Sequence, residues 1–205
     1  KCLIPRADVV TPNGFEAAVL SQIGSSQSHE LSSIDEAKEA AARLHEMGAP
    51  FVVIKSFSPL NENGERSGDI FFLTSVDCKT FVSQRLGCVP KQTIYFSGTG
   101  DVFGAALTAR LLRTRAWRDF FSTIEIHAPN ETAADIFHHA VEVCMRMMRA
   151  IISGSIQPTE TVSAAEEVPS PIVREIRVVQ NLPAILGAEQ LPSIFTVVST
   201  HSGKQ

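Results

Sequence analysis

The stretch at residues 93–107, TIYFSGTGDVFGAAL, carries the reading of the fold: a β-favouring run, a turn nearly bare of side chains, then apolar residues at helical spacing. Gly98 and Gly100 let the backbone take φ values closed to other residues and let a ligand approach the main chain. The amides that open the helix have no partner within it. They lie at the positive end of its dipole, a site for a phosphate or a phosphoryl group in transit. Asp101 stands beside them, where a carboxylate can take a proton from an alcohol attacking phosphorus while the amides steady the charge on the phosphoryl oxygens. The same string also suits a plain strand-to-helix turn in which Asp101 only complements the dipole.

Working outward, the pattern is an alternation of strands and helices. ADVV at 7–10 reads as a buried strand closed by TPNGFE, and FEAAVLSQI as a short helix. Residues 33–48 form a helix: Ala37, Ala40, Ala41, Leu44 and Met47 recur at its period, Ser33 and Glu36 form a capping box, and Gly48 stops it. PFVVIKS reads as a central strand covered on both faces, and DIFFLTS as a second strand beyond a turn-rich loop. After the opening motif come helices at 101–113 and 132–152, an exposed flexible loop at 153–171, and strands in IVREIRVVQ and SIFTVVST. This predicts an α/β fold, with a mostly parallel central sheet flanked by helices and ligands at the C-terminal ends of its strands.

Composition narrows the function. A chain of 205 residues, 44% apolar, buries one substantial core, so a single domain is expected. A net charge of −4 without a basic cluster disfavours nucleic acid and anionic lipid. Cys2, Cys78, Cys88 and Cys144 have neither metal nor disulfide spacing and read as reduced thiols. With no run of transmembrane length and no secretory segment, a cytoplasmic protein with no membrane association is expected.

A second motif joins the first. TPNGFE sets Asn13 and Glu16 three residues apart at a strand end, where an amide and a carboxylate suit magnesium. The alternative is a turn with Glu16 complementing the dipole of the following helix. His138 and His139, with Cys144 nearby, lack a second ligand pair and are not read as a metal site. Met145, Met147 and Met148 read as core or helix surface, and Trp117 as a packing or loop residue.

ADVVTPNGFE, VVIKS and FSGTGDVFGAAL, in this order, resemble the C-terminal part of the pyridoxal kinases of the ribokinase-like superfamily. The tail SPIVREIRVVQN adds to the likeness, which spans residues 5–199. The resemblance implies that Asp101 deprotonates the 5′-hydroxymethyl group of pyridoxal and that the amides of Gly98, Thr99 and Gly100 form an anion hole for the γ-phosphate of ATP. It implies that Asn13 and Glu16 place magnesium through water, and that Thr11 serves nucleotide phosphates and a monovalent cation, potassium or sodium. Lys55 and Ser56 would contact ATP phosphates, Val141 would line the adenine pocket, and the complete enzyme would be a homodimer acting on pyridoxal, pyridoxine and pyridoxamine.

One departure stands out: the part of such kinases that precedes ADVVTPN is absent. By resemblance it carries most contacts to the pyridine ring, the substrate lid and the first strands. The chain is therefore expected to be part of a longer enzyme, with one sheet edge uncovered and little or no activity alone. Two further readings remain, another ribokinase-like kinase such as one for hydroxymethylpyrimidine, and a non-catalytic fragment that binds nucleotide or pairs with a complete subunit.

Overall fold

The computed structural model describes residues 3–23, 30–66, 69–76, 80–88, 94–114, 117, 131–155, 172–175, 183, 186–187, 190 and 197–200. After a 3-10 turn at Ile4–Arg6 the elements are β1 (Val9–Val10), α1 (Gly14–Ser21), α2 (Ile34–Glu46), β2 (Phe51–Phe57), β3 (Asp69–Val76), β4 (Thr80–Cys88), β5 (Ile94–Ser97), α3 (Thr99–Arg113), α4 (Glu131–Ser155), β6 (Ile172–Glu175) and β7 (Val197–Thr200). Five strands pair in the order β1-β2-β3-β4-β7, and β5 pairs separately with β6.

The fold is α/β, with a sheet between two helical layers, and the sheet is mixed. β1–β2 and β5–β6 are parallel, whereas β2–β3, β3–β4 and β4–β7 run antiparallel. A parallel crossover needs a helix between its strands, and α1 and α2 supply it between β1 and β2. β3 and β4 instead follow their neighbours through short connections, which return the chain antiparallel. β4 was not foreseen in the sequence. The long helix reaches Ser155, so residues 153–155 of the expected loop belong to its last turn, and 156–171 lie outside the described residues.

β2 shows why its sequence is apolar without interruption. Phe51 and Val53 point into a core with Phe103, Leu107 and Leu111 of α3 and Phe137, Val141 and Met145 of α4. Val52 and Ile54 point the other way, against Ala17 and Ala18 of α1 and Ala40, Ala41 and Leu44 of α2. A strand covered on both faces has no wet side to alternate with. Trp117 packs in the first core, its ring centroid 4.7 Å from Phe51 and 6.0 Å from Phe137. The two buried hydroxyls of β3 each find a histidine in the layer they face. Thr74 Oγ1 lies 2.8 Å from His138 Nδ1 on α4. Ser75 Oγ lies 2.8 Å from His45 Nε2 on α2.

α2 starts at Ser33, whose hydroxyl accepts from the Glu36 amide at 3.0 Å. The Glu36 carboxylate does not complete the expected box on Ser33; it reaches one residue further back and accepts from the Ser32 amide at 2.6 Å.

Candidate active site

The C-terminal ends of β1, β2 and β5 open on one cleft of about 910 Å³, and the glycine turn lines it together with the TPNGFE turn. Gly98 is the N-cap of α3 in the left-handed region, φ 84°, which explains a glycine there. No side chain caps this helix, and its first internal bond runs from Val102 N to Gly98 O at 3.1 Å. The amides of Thr99, Gly100 and Asp101 precede that bond, and Asp101 is exposed in the first turn.

β2 ends in a bulge. Ile54 pairs with Leu73 and Phe57 with Phe71, so β2 carries one more residue than its partner there, and Ser56 takes a left-handed φ of 53°. Such a kink re-aims side chains at the end of a strand. The Lys55 backbone remains tied to the β1 side, its N–H donating to Pro12 O at 2.8 Å. Its side chain continues the face of Phe51 and Val53 to the mouth of α3. A Cβ placed on Gly100 would sit 3.5 Å from the ammonium, which lies 5.8 Å from the centre of the Phe103 ring. Among the described residues the ammonium has no ion-pair partner within 4.0 Å. Burial pushes its pKa below the ordinary lysine value, against the opposing pull of Glu16 and Asp101. A cation without an ion-pair partner among the described residues, set against a helix N-terminus whose N-cap is a glycine, is an arrangement able to receive a phosphate from two sides.

Asn13, which pairs with Lys55 in an isolated parallel bridge, and Glu16 are locked to each other. Asn13 Oδ1 accepts from the Glu16 amide and Glu16 Oε2 from the Asn13 amide, both at 2.8 Å, a complete capping box for α1. The helical alternative for this motif is thus realised, yet both side chains still line the cleft. Gly14 makes it possible, because a Cβ there would meet the Phe57 Cβ at 2.7 Å. No larger residue would let α1 sit so close to β2.

Thr11, Asn13, Glu16, Lys55, Ser56 and the 98–101 turn are therefore brought together. Val141 is not: it is fully buried in the core, while Met148 and Ile152, further along the same helix, line the cleft. Spacings of seven and eleven residues keep one helical face, so the signal existed, but the sequence does not show where the face leaves the core. Arg66 and Phe103 were also missed. His138 serves Thr74, and Cys144 is a buried thiol pushed up to about 12 by desolvation. No cluster of three metal-binding side chains occurs among the described residues. No described helix is long and apolar enough to cross a membrane.

A family model described as phosphomethylpyrimidine kinase matches residues 1–123. The chain is 39% identical to a putative pyridoxine kinase of Staphylococcus aureus over 111 residues, 54% of this chain and 36% of that protein. It is 30% identical to the pyridoxal kinase of Ovis aries over 184 residues, 87% of this chain and 50% of that one. The pyridoxal kinase of Leishmania donovani, solved with ADP and pyridoxine, superposes with a TM-score of 0.60 at 26% identity, over 94% of this chain and 51% of that one. The chain spans about half the length, or less, of the relatives it matches. Cleft, turn and sequence agree: the chain belongs to the phosphomethylpyrimidine kinase family and has the ribokinase-like fold of the pyridoxal kinases.

Proposed function

We propose that this chain carries the phosphoryl-transfer site of an ATP-dependent kinase that phosphorylates the 5′-hydroxymethyl group of pyridoxal, pyridoxine and pyridoxamine. One observation carries the reading: a helix N-terminus with a glycine N-cap, an ammonium without an ion-pair partner among the described residues and an exposed carboxylate meet in one cleft. In this mechanism the amides of Gly98, Thr99 and Gly100 hold the transferring phosphoryl oxygens, and Lys55 offsets the charge that builds on them. Asp101 takes the alcohol proton as the oxygen attacks phosphorus. Thr11 and Ser56 line the phosphate path. Met148, Ile152 and Phe103, rather than Val141, supply apolar surface for the base.

The residues fit magnesium. Glu16 uses one carboxylate oxygen on Asn13 and keeps the other, and Asp101 is exposed, a sparse oxygen set that suits an ion retaining most of its water. Bound there through water, the ion would neutralise phosphate charge. A monovalent cation fits less well, because Thr11 offers a single hydroxyl and the cleft already holds a fixed cation in Lys55. The complete enzyme is proposed to be a cytoplasmic homodimer.

A match at 33% identity over 140 residues to the hydroxymethylpyrimidine/phosphomethylpyrimidine kinase of Bacillus subtilis supports hydroxymethylpyrimidine as a second acceptor. Calorimetric titration of the chain with MgADP tests the nucleotide site, and a full-length protein containing these residues tests the chemistry against a panel of B6 vitamers and hydroxymethylpyrimidine. Asp101→Asn is expected to bind MgADP as the wild type does while turnover falls about 10²- to 10⁴-fold. Unchanged turnover removes Asp101 from the mechanism, and turnover of the pyrimidine alone selects the second reading. Nucleotide binding without turnover of any acceptor by the full-length protein leaves the non-catalytic reading.

A further inference from the structure

Away from the anion site, one more cation lines the cleft, with both terminal nitrogens engaged. Arg66 lies in the connection between β2 and β3. Its Nη1 donates to the carbonyl oxygens of Ser58 at 2.5 Å and Leu31 at 3.2 Å, and its Nη2 pairs with the Glu30 carboxylate. Ser58 and Arg66 belong to that connection, Glu30 and Leu31 to the segment entering α2, and all four line the cleft. A second tie joins the same two segments, from Leu60 N to Ser32 O at 2.8 Å.

The connection is itself well braced. Asn61 Oδ1 accepts from the amides of Asn63 and Glu65 at 3.0 and 2.9 Å, and Leu60 and Arg66 pair as an isolated antiparallel bridge. The forked, planar guanidinium divides the work between two nitrogens, Nη1 on the two carbonyls and Nη2 on the carboxylate. The side chains of Arg66 and Glu30 are 40% and 51% exposed, so solvent screens the pair and its charge adds little to folding. What the contacts do supply is geometry, since they join two segments that both wall the cleft.

We propose that Arg66 is a positioning residue: by clasping Glu30, Leu31 and Ser58 it fixes the β2–β3 connection as a rigid wall of the cleft and so sets nucleotide affinity. The inference rests on the nucleotide reading above. It differs from a direct role, in which Arg66 would turn towards the phosphates as a free charge. The two predict opposite signs at Glu30. Removing the carboxylate loosens a clasp, but it would release a phosphate-binding arginine.

The test is MgADP binding by calorimetry to the full chain and to Arg66→Ala, Arg66→Lys and Glu30→Gln, with thermal unfolding of each. Arg66→Ala is expected to weaken ADP about tenfold, the scale of one lost hydrogen-bonded contact. Arg66→Lys should recover little, because a single ammonium nitrogen replaces the two separate nitrogens that reach the carbonyls and the Glu30 carboxylate. Glu30→Gln should weaken binding about threefold, as loss of an exposed pair allows. Tighter binding by Glu30→Gln, or ADP affinity unchanged in Arg66→Ala whatever its melting temperature, overturns the proposal. Absence of ADP binding by the wild-type chain overturns the nucleotide reading and this inference with it, whereas normal binding unaffected by both substitutions overturns this one alone.

Discussion

At Lys55 burial and neighbouring charge oppose each other. Desolvation pushes its pKa below 10.5, and Glu16 and Asp101 raise it only in part. Below the lowered value the group carries the charge proposed to draw an anion to the mouth of α3; above it the charge is gone. Nucleotide affinity should therefore decline as pH rises through a value short of 10.5, earlier than an exposed lysine would cause. Titration with ADP between about pH 7 and pH 10 checks this, and Lys55→Met should bind weakly with a flat profile over that range. A wild-type profile as flat as the variant's would remove Lys55 from the anion site. The lysine was legible as the end of VVIKS. Its proximity to Gly100 was not, because that depends on a bulge and on how α3 packs over β2.

The capping box of α1 shows how an element can serve two purposes. Asn13 and Glu16 satisfy one another's backbone amides, and the same bonds hold them at the edge of the cleft. Asn13→Ala removes the cap and should cost about 0.5–2 kcal/mol of stability, read from urea unfolding. ADP affinity should fall as well, since α1 frays where Glu16 lines the cleft. Full stability together with lost ADP binding would give Asn13 a ligand role and no capping role. The motif was visible in the sequence because a cap spans only four residues. Its two readings could not be separated there: the structure shows the hydrogen bonds of the helix and sets both residues at the cleft.

For the whole molecule, the two helical layers are joined through β3, whose Thr74 and Ser75 meet histidines on opposite sides. His138 has its Nε2 buried without a partner among the described residues, and burial pushes its pKa below 6.5, with Asp135 opposing. The sign follows from proton counting. As pH falls below 6.5 the unfolded chain takes up a proton that the folded histidine resists, so stability declines from there down to the lowered folded value and is level above. Unfolding midpoints measured across that window should show the decline, and His138→Phe should flatten this part of the profile. What the sequence determined by itself was short-ranged: the glycine turn before Asp101, the turn at Asn13 leading into a helix, the cap at Ser33, the unbroken apolar run of β2, and the family to which these motifs belong. The tertiary structure decided the antiparallel run through β4, the bulge that aims Lys55 and Ser56, the replacement of Val141 by Met148 and Ile152 at the cleft, and the clasp of Arg66. Caps, turns and periodicity are written within a few residues of chain. Strand order, and the point at which a helix face leaves the core for a cavity, are fixed by packing between segments far apart in sequence.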